Sequence, residues 1–118
     1  MNNPFGSHIR SLREERLKTN RAFSVRQVAA KIGVEPSYLS KVERGKEPPP
    51  SSAKIVDLAY ILSEDPDVLL ALAGKISPDL QAVIMKRPRI FSQLIRELKD
   101  LPDNAVLHLV REVRDGKW

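Results

Sequence analysis

A short helical segment, residues 36–45, carries hydroxyl and cationic side chains at a spacing that suits binding to a polyanion. The polar members of this stripe are Ser37, Ser40, Lys41 and Arg44. At about 100° per residue they share one side of a helix, and Leu39, Val42 and Glu43 fall on the other side. Such a face can hydrogen-bond to base edges and phosphates in a DNA major groove. An ordinary solvated helix face has a similar composition, so the stripe alone leaves both interpretations open.

Two short helices and a tight turn, spanning residues 23–45, must position this face. The apolar residues of the first helix recur at helical spacing and are Val25, Val28, Ala29 and Ile32. Ser24 can cap the start of that helix, and Gly33 can take the left-handed conformation that a sharp turn needs. Pro36 suits the first position of the second helix. We therefore expect a helix-turn-helix whose second helix faces outward.

After the turn, the sequence SYLSKVERGK resembles the helix-turn-helix of the phage repressor/Cro-like (XRE) family. The resemblance covers roughly residues 5–74. The resemblance implies that base edges are read by Pro36, Ser37, Ser40 and Lys41. It also implies a phosphate-contacting end, formed by Arg44 and Lys46. The family often has Gln where this chain has Val25, and Arg26 is the expected substitute. Tyr38 completes the expected phosphate contacts.

The first helix, from Pro4 or Phe5 to about Lys18, is amphipathic, and Arg13 lies beside its apolar stripe. Glu43 lies beside the apolar stripe of the second motif helix. In the resembling family a buried Arg–Glu pair commonly occupies these positions, so we expect Arg13 and Glu43 to form a structural salt bridge. The alternative for Glu43 is a contact to cytosine in DNA.

Two more helices are predicted before residue 75. The run KEPPPSS cannot be helical, because successive prolines lack amide donors, and it predicts a stiff spacer. Ser51 is placed to cap a fourth helix, and Asp65-Pro66 to start a fifth that Gly74 ends. Residues 19–22 are predicted to be a loop. The expected fold class is all-α, with a five-helix DNA-binding domain over residues 5–75.

Residues 76–118 predict about three further helices, broken at Pro88 and Pro102. Their apolar side chains exceed what 43 residues can bury alone. A symmetric dimer interface is predicted from Ile90, Phe91, Leu94, Ile95, Leu98, Val106, Leu109, Val110 and Val113. The alternatives are that these helices cover their own domain, or that they bind a foreign protein as in an antitoxin.

Charge and composition narrow the function. The 118 residues carry a formal net charge of +5, and residues 1–50 hold ten Lys and Arg against five Asp and Glu. There is no cysteine, and the two histidines, His8 and His108, are far apart in the sequence. No nucleophile, metal or phosphate-loop motif occurs, so we expect no enzyme activity, cofactor or metal. Without an apolar signal or membrane segment, the expected location is the cytoplasm. The sequence predicts a double-stranded DNA-binding transcriptional regulator, a homodimeric repressor at an inverted repeat; the alternative is an antitoxin whose DNA binding is autoregulatory.

Overall fold

The computed structural model describes residues 4–118, and all regular structure in that range is helical. The helices are α1 (Pro4–Leu17), a 3₁₀ turn (Arg21–Phe23), α2 (Val25–Ile32), α3 (Pro36–Glu43), α4 (Ser52–Leu62), α5 (Pro66–Leu72), α6 (Pro78–Lys86), α7 (Pro88–Leu98) and α8 (Asp103–Asp115). The predicted all-α class, with five helices followed by three, is confirmed. No helix within residues 4–118 is both long enough and apolar enough to span a bilayer.

The chain divides into two compact units, the first ending at Ser77 and the second running from Pro78 to Trp118. The first unit has one continuous hydrophobic core to which α1 to α5 all contribute. Its buried members are Phe5, Ile9, Val28, Ala29, Ile32, Leu39, Val42, Ile55, Leu58, Ala59, Leu62, Leu69 and Leu70. Periodic apolar residues therefore converge as the sequence pattern indicates.

The helix boundaries follow local capping chemistry. The side chains of Ser24, Ser51 and Asp65 each accept a backbone N–H in the first turn of α2, α4 and α5. Gly33 ends α2 in the left-handed conformation, with φ of 74°. The sequence prediction was wrong where it expected only a loop before α2, because Asn20 accepts the amide of Ala22 at 2.9 Å and so closes a 3₁₀ turn.

Helix α5 has two buried residues. Leu69 and Leu70 are buried, whereas Val68 is 41% exposed. A helix of seven residues makes two turns, so its buried side is set by how it packs on α4 rather than by its own periodicity.

In the second unit, residues 78–118, no side chain is buried. Helices α6 and α7 pack together. Between α7 and α8 lies an open groove of about 510 Å³. Its lining is Leu94, Leu98, Val106, Leu109, Val110, Val113 and Arg114. This unit thus presents an amphipathic helix pair whose apolar sides have no core of their own in a single chain.

Candidate nucleic-acid interface

Helix α3 has one side in the core and one side in solvent. Leu39, Val42 and Glu43 are buried. The solvent side carries Ser37, Lys41 and Arg44, all exposed, with Ser40 and Pro36 partly exposed. The residues expected to contact bases therefore share one accessible surface, and none of them is buried by a neighbouring helix.

The inner side of α3 is tied to α1 by a bidentate ion pair. Arg13 donates from Nε to Glu43 Oε2 at 2.7 Å and from Nη2 to Glu43 Oε1 at 2.8 Å. Both side chains are buried, with 7% and 4% of their surfaces exposed. Arg13 also donates to the backbone oxygen of Phe23 at 3.2 Å, so one guanidinium holds α1, α3 and the segment before α2. Glu43 points away from the solvent side, which disfavours the alternative contact to cytosine.

Gly6 lets α1 approach the carboxyl end of α3 closely, a contact that sequence reasoning missed. A Cβ at Gly6 would collide with the carbonyl oxygen of Val42 and would lie 2.9 Å from that of Glu43. A glycine inside a helix costs stability relative to alanine, which is a signal of close packing at that position. Here the backbone contact positions the end of α3 that carries Arg44.

The turn between α2 and α3 is held from α4 by Lys54, the second residue that the sequence reasoning missed. Its Nζ donates to the carbonyl oxygens of Ile32 at 2.8 Å and Gly33 at 3.3 Å. These carbonyls end α2, where a cation is electrostatically favourable. Because Lys54 lies near the start of its own helix, where a cation is unfavourable, its position was a usable sign of a partner elsewhere.

The proline connector between α3 and α4 is fastened by two side chains. The Tyr38 hydroxyl donates to the carbonyl of Pro48 at 3.0 Å, and Lys75 Nζ donates to that of Pro50 at 3.2 Å. Burial, and then the negative charge of Glu47, raises the pKa of Tyr38. A phosphate accepts hydrogen bonds but donates none when ionised. The hydroxyl proton of Tyr38 is thus already used inside the protein, so the expected phosphate contact from Tyr38 would require this bond to open.

The remaining expected phosphate contacts lie on exposed positions. Arg26 is the second residue of α2, Lys46 follows α3, and both side chains are exposed. Arg44 donates from Nε to the carbonyl of Ser40 at 3.3 Å, which orients its guanidinium along α3. The cations Arg26, Lys41, Arg44 and Lys46 belong to the two helices of the motif and the segment just after it. Such a set suits a phosphate backbone next to a groove.

His8 and Glu64 form a structural contact between α1 and the turn before α5. His8 Nε2 lies 2.8 Å from Glu64 Oε2 and joins α1 to the turn before α5. That hydrogen bond, with a second from the amide of Asp65, lowers the pKa of Glu64. Among residues 4–118, no group of three or more His, Cys, Asp or Glu is placed to hold a metal ion.

The fold and this surface define a helix-turn-helix protein: α2 and α3 meet at a glycine turn, and α3 is anchored on one side and accessible on the other. Comparison with known proteins agrees. A family described as a helix-turn-helix domain matches residues 4–72, and the chain belongs to it. This match confirms the resemblance to the XRE-like helix-turn-helix regulators.

A curated relative supports the same assignment. The chain is 38% identical over 73 residues, 62% of its own length, to an uncharacterized HTH-type transcriptional regulator, RghRB, of Bacillus subtilis (strain 168). Those residues cover 49% of the relative, so the chain spans about half of that protein's length. No solved structure matches the chain.

Proposed function

We propose that this protein is a sequence-specific, double-stranded DNA-binding transcriptional regulator that acts as a homodimeric repressor at an inverted-repeat operator. In this proposal, α3 enters the major groove, Ser37, Ser40 and Lys41 contact base edges, and Arg44 contacts the backbone. In the same proposal, the protein works in the cytoplasm and has no catalytic step.

One observation carries this proposal: the solvent side of α3 is cationic and rich in hydroxyls, while its inner side is fixed by a buried ion pair. Base readout needs side chains that reach out from a rigid element, because small displacements break bidentate contacts. The anchoring by Arg13, Gly6 and Lys54 supplies that rigidity.

The test is selection of bound sequences from random duplex DNA, followed by competition assays with two variants. Lys41→Ala should relax preference at particular base pairs by about 1 to 3 kcal/mol. Arg44→Ala should weaken binding to all sequences alike and lower the salt slope by about one. Lys18→Ala is the control, because Lys18 is exposed just after α1 and pairs with Glu15 at 3.0 Å. Unchanged specific binding in both α3 variants would contradict the proposal.

Dimerisation follows from how little DNA one such helix reads. A single recognition helix contacts only a few base pairs, so these proteins generally pair across two half-sites about one helical turn apart. The groove between α7 and α8, whose lining includes Leu94, Leu109 and Val113, supports a self-complementary interface in the second unit. Of the other residues expected there, Phe91 is partly buried, while Ile90 and Ile95 are 62% and 55% exposed outside that groove.

The same groove favours a second candidate function, an antitoxin-type module that clasps a different protein and binds DNA for autoregulation. Sedimentation of the purified protein separates the two. A dimer of this chain alone that binds the selected operator supports the homodimer. A monomer that cannot bind two half-sites together would favour the foreign partner. Repression itself is tested by placing the selected operator upstream of a reporter gene, where expression should fall when the protein is present.

A further inference from the structure

The start of α3 differs from the starts of the other short helices in the first unit. The side chains of Ser24, Ser51 and Asp65 cap α2, α4 and α5, whereas Glu35, at the same position before α3, makes no side-chain capping bond. Glu is too long to fold back on the first-turn amides as Ser, Asp or Asn does. The one helix with a proposed binding surface thus lacks the cap that its neighbours have.

The side chain of Glu35 has no structural partner among residues 4–118. It is exposed and makes neither a hydrogen bond nor an ion pair there, whereas the Glu35 backbone oxygen accepts the amide of Leu39 at 3.1 Å. A negative charge near a helix start is favourable by itself. That advantage does not explain the choice of Glu, because Asp gives the same charge and adds a cap, as Asp65 does at α5.

We propose that Glu35 is a specificity-determining residue, which accepts a hydrogen bond from the exocyclic amino group of a cytosine at one position in each half-site. This inference rests on the proposed function. A carboxylate repels phosphates and can only accept hydrogen bonds, so among base edges in the major groove it needs an amino donor. Cytosine presents that donor. Adenine presents an acceptor, N7, beside its amino group, and an amide side chain matches this combination better than a carboxylate does.

The placement of Glu35 fits this role. It directly precedes Pro36 and Ser37, at the end of α3 whose first residues are proposed to contact bases. The exposed cations Lys41, Arg44 and Lys46 lie in the helix or just after it. They provide phosphate attraction that offsets the repulsion of one carboxylate, so Glu35 can approach the groove without abolishing binding.

The experiment repeats the selection from random duplex DNA with three proteins: wild type, Glu35→Gln and Glu35→Ser. Wild type should enrich cytosine at one position of each half-site. Glu35→Gln should change that preference to adenine, by about tenfold in relative affinity, with the other positions unchanged. Glu35→Ser is too short to reach the base and should lose preference at that position. It should also raise the melting temperature, because Ser caps α3, which shows that the variant is folded.

The outcomes separate this inference from the function on which it rests. If wild type enriches no motif, the proposed function is overturned, and the role of Glu35 with it. If wild type enriches a motif that Glu35→Gln and Glu35→Ser leave unchanged, only the inference about Glu35 is overturned. Uniformly tighter binding of both variants to every sequence, with the motif intact, would likewise overturn it, because the carboxylate would then only repel the backbone.

Discussion

The ion pair between Arg13 and Glu43 gives the sharpest test of how α3 is held. Glu43→Ala would leave a guanidinium with 7% of its surface exposed and one remaining partner, the Phe23 carbonyl at 3.2 Å. Removing one member of a buried pair costs about 3 to 5 kcal/mol, because the other charge stays desolvated. The free energy of unfolding of a small domain is about 5 to 15 kcal/mol, so this variant should be close to unfolding at ordinary temperatures.

Replacing both members distinguishes loss of the pair from loss of packing. Arg13→Met with Glu43→Leu fills the same space with apolar side chains, and such replacements of buried pairs are often neutral or stabilising. We expect the double variant to be more stable than either single variant, with a coupling of about 0.5 to 3 kcal/mol. Urea denaturation followed by circular dichroism measures all four proteins.

The control for this cycle is Glu14→Ala, which breaks the exposed pair of Arg10 and Glu14 at 2.6 Å. Exposed pairs contribute little, so the free energy of unfolding should be nearly unchanged. Two results would refute the reasoning about Glu43. One is a Glu43→Ala protein with wild-type stability and no specific DNA binding, which would mean that Glu43 contacts the nucleic acid. The other is strict additivity in the cycle.

Three further predictions concern other parts of the chain. Gly6→Ala should destabilise by about 1 to 3 kcal/mol in urea denaturation, because its Cβ meets the carbonyl oxygen of Val42, and a Gly6→Ala protein as stable as wild type would contradict the packing argument. Gly74→Ala, which has open space but a φ of 75°, should cost only its left-handed strain, about 1 to 2 kcal/mol. The hydrogen bond from His8 lowers the pKa of Glu64, so this contact stabilises the fold above the ordinary carboxyl pKa of about 4.3, and the stabilisation is lost as pH falls through the lowered pKa. Glu64→Gln should flatten the acid side of a plot of melting temperature against pH, and an unchanged profile would refute the coupling. Leu109→Glu, in the α7–α8 groove, should give monomers in sedimentation, whereas Leu107→Glu, outside that groove, should not; a dimeric Leu109→Glu protein would count against this interface.

Local chemistry made most of the first unit predictable. Ser24 and Gly33 mark their helix boundaries because capping and left-handed turns depend on the residue itself and its nearest neighbours. In the same way, Pro78 marks the start of α6 and Ser51 marks the start of α4. The pairing of Arg13 with Glu43 came from family resemblance rather than from spacing, since 30 positions separate them.

Contacts between distant segments could not be predicted in this way. Lys54 and Ile32 are 22 positions apart, and nothing in the local pattern of either helix names the other. Likewise, helical periodicity groups Ile95 with Leu94 on one apolar arc of α7. The structure separates them, since Leu94 lines the groove with α8 and Ile95 lines another hollow with Ser92, Arg96 and Lys99. That division depends on how two helices diverge, which is a tertiary property.

The residues that hold α3 in place and the residues on its solvent side form two different sets. This separation decides how mutations in each set should be interpreted. Gly6, Arg13 and Lys54 contact the backbone or the inner side of the motif, so their replacement should lower stability first and binding only as a consequence. Lys41 is exposed and bears none of this packing, so its replacement should change base preference while the melting temperature stays the same. Replacement of Glu35 by Ser should affect both properties: the base preference at one position should be lost, and the melting temperature should rise. A regulator organised in this way can alter its operator through a few outward residues without disturbing the core that holds them.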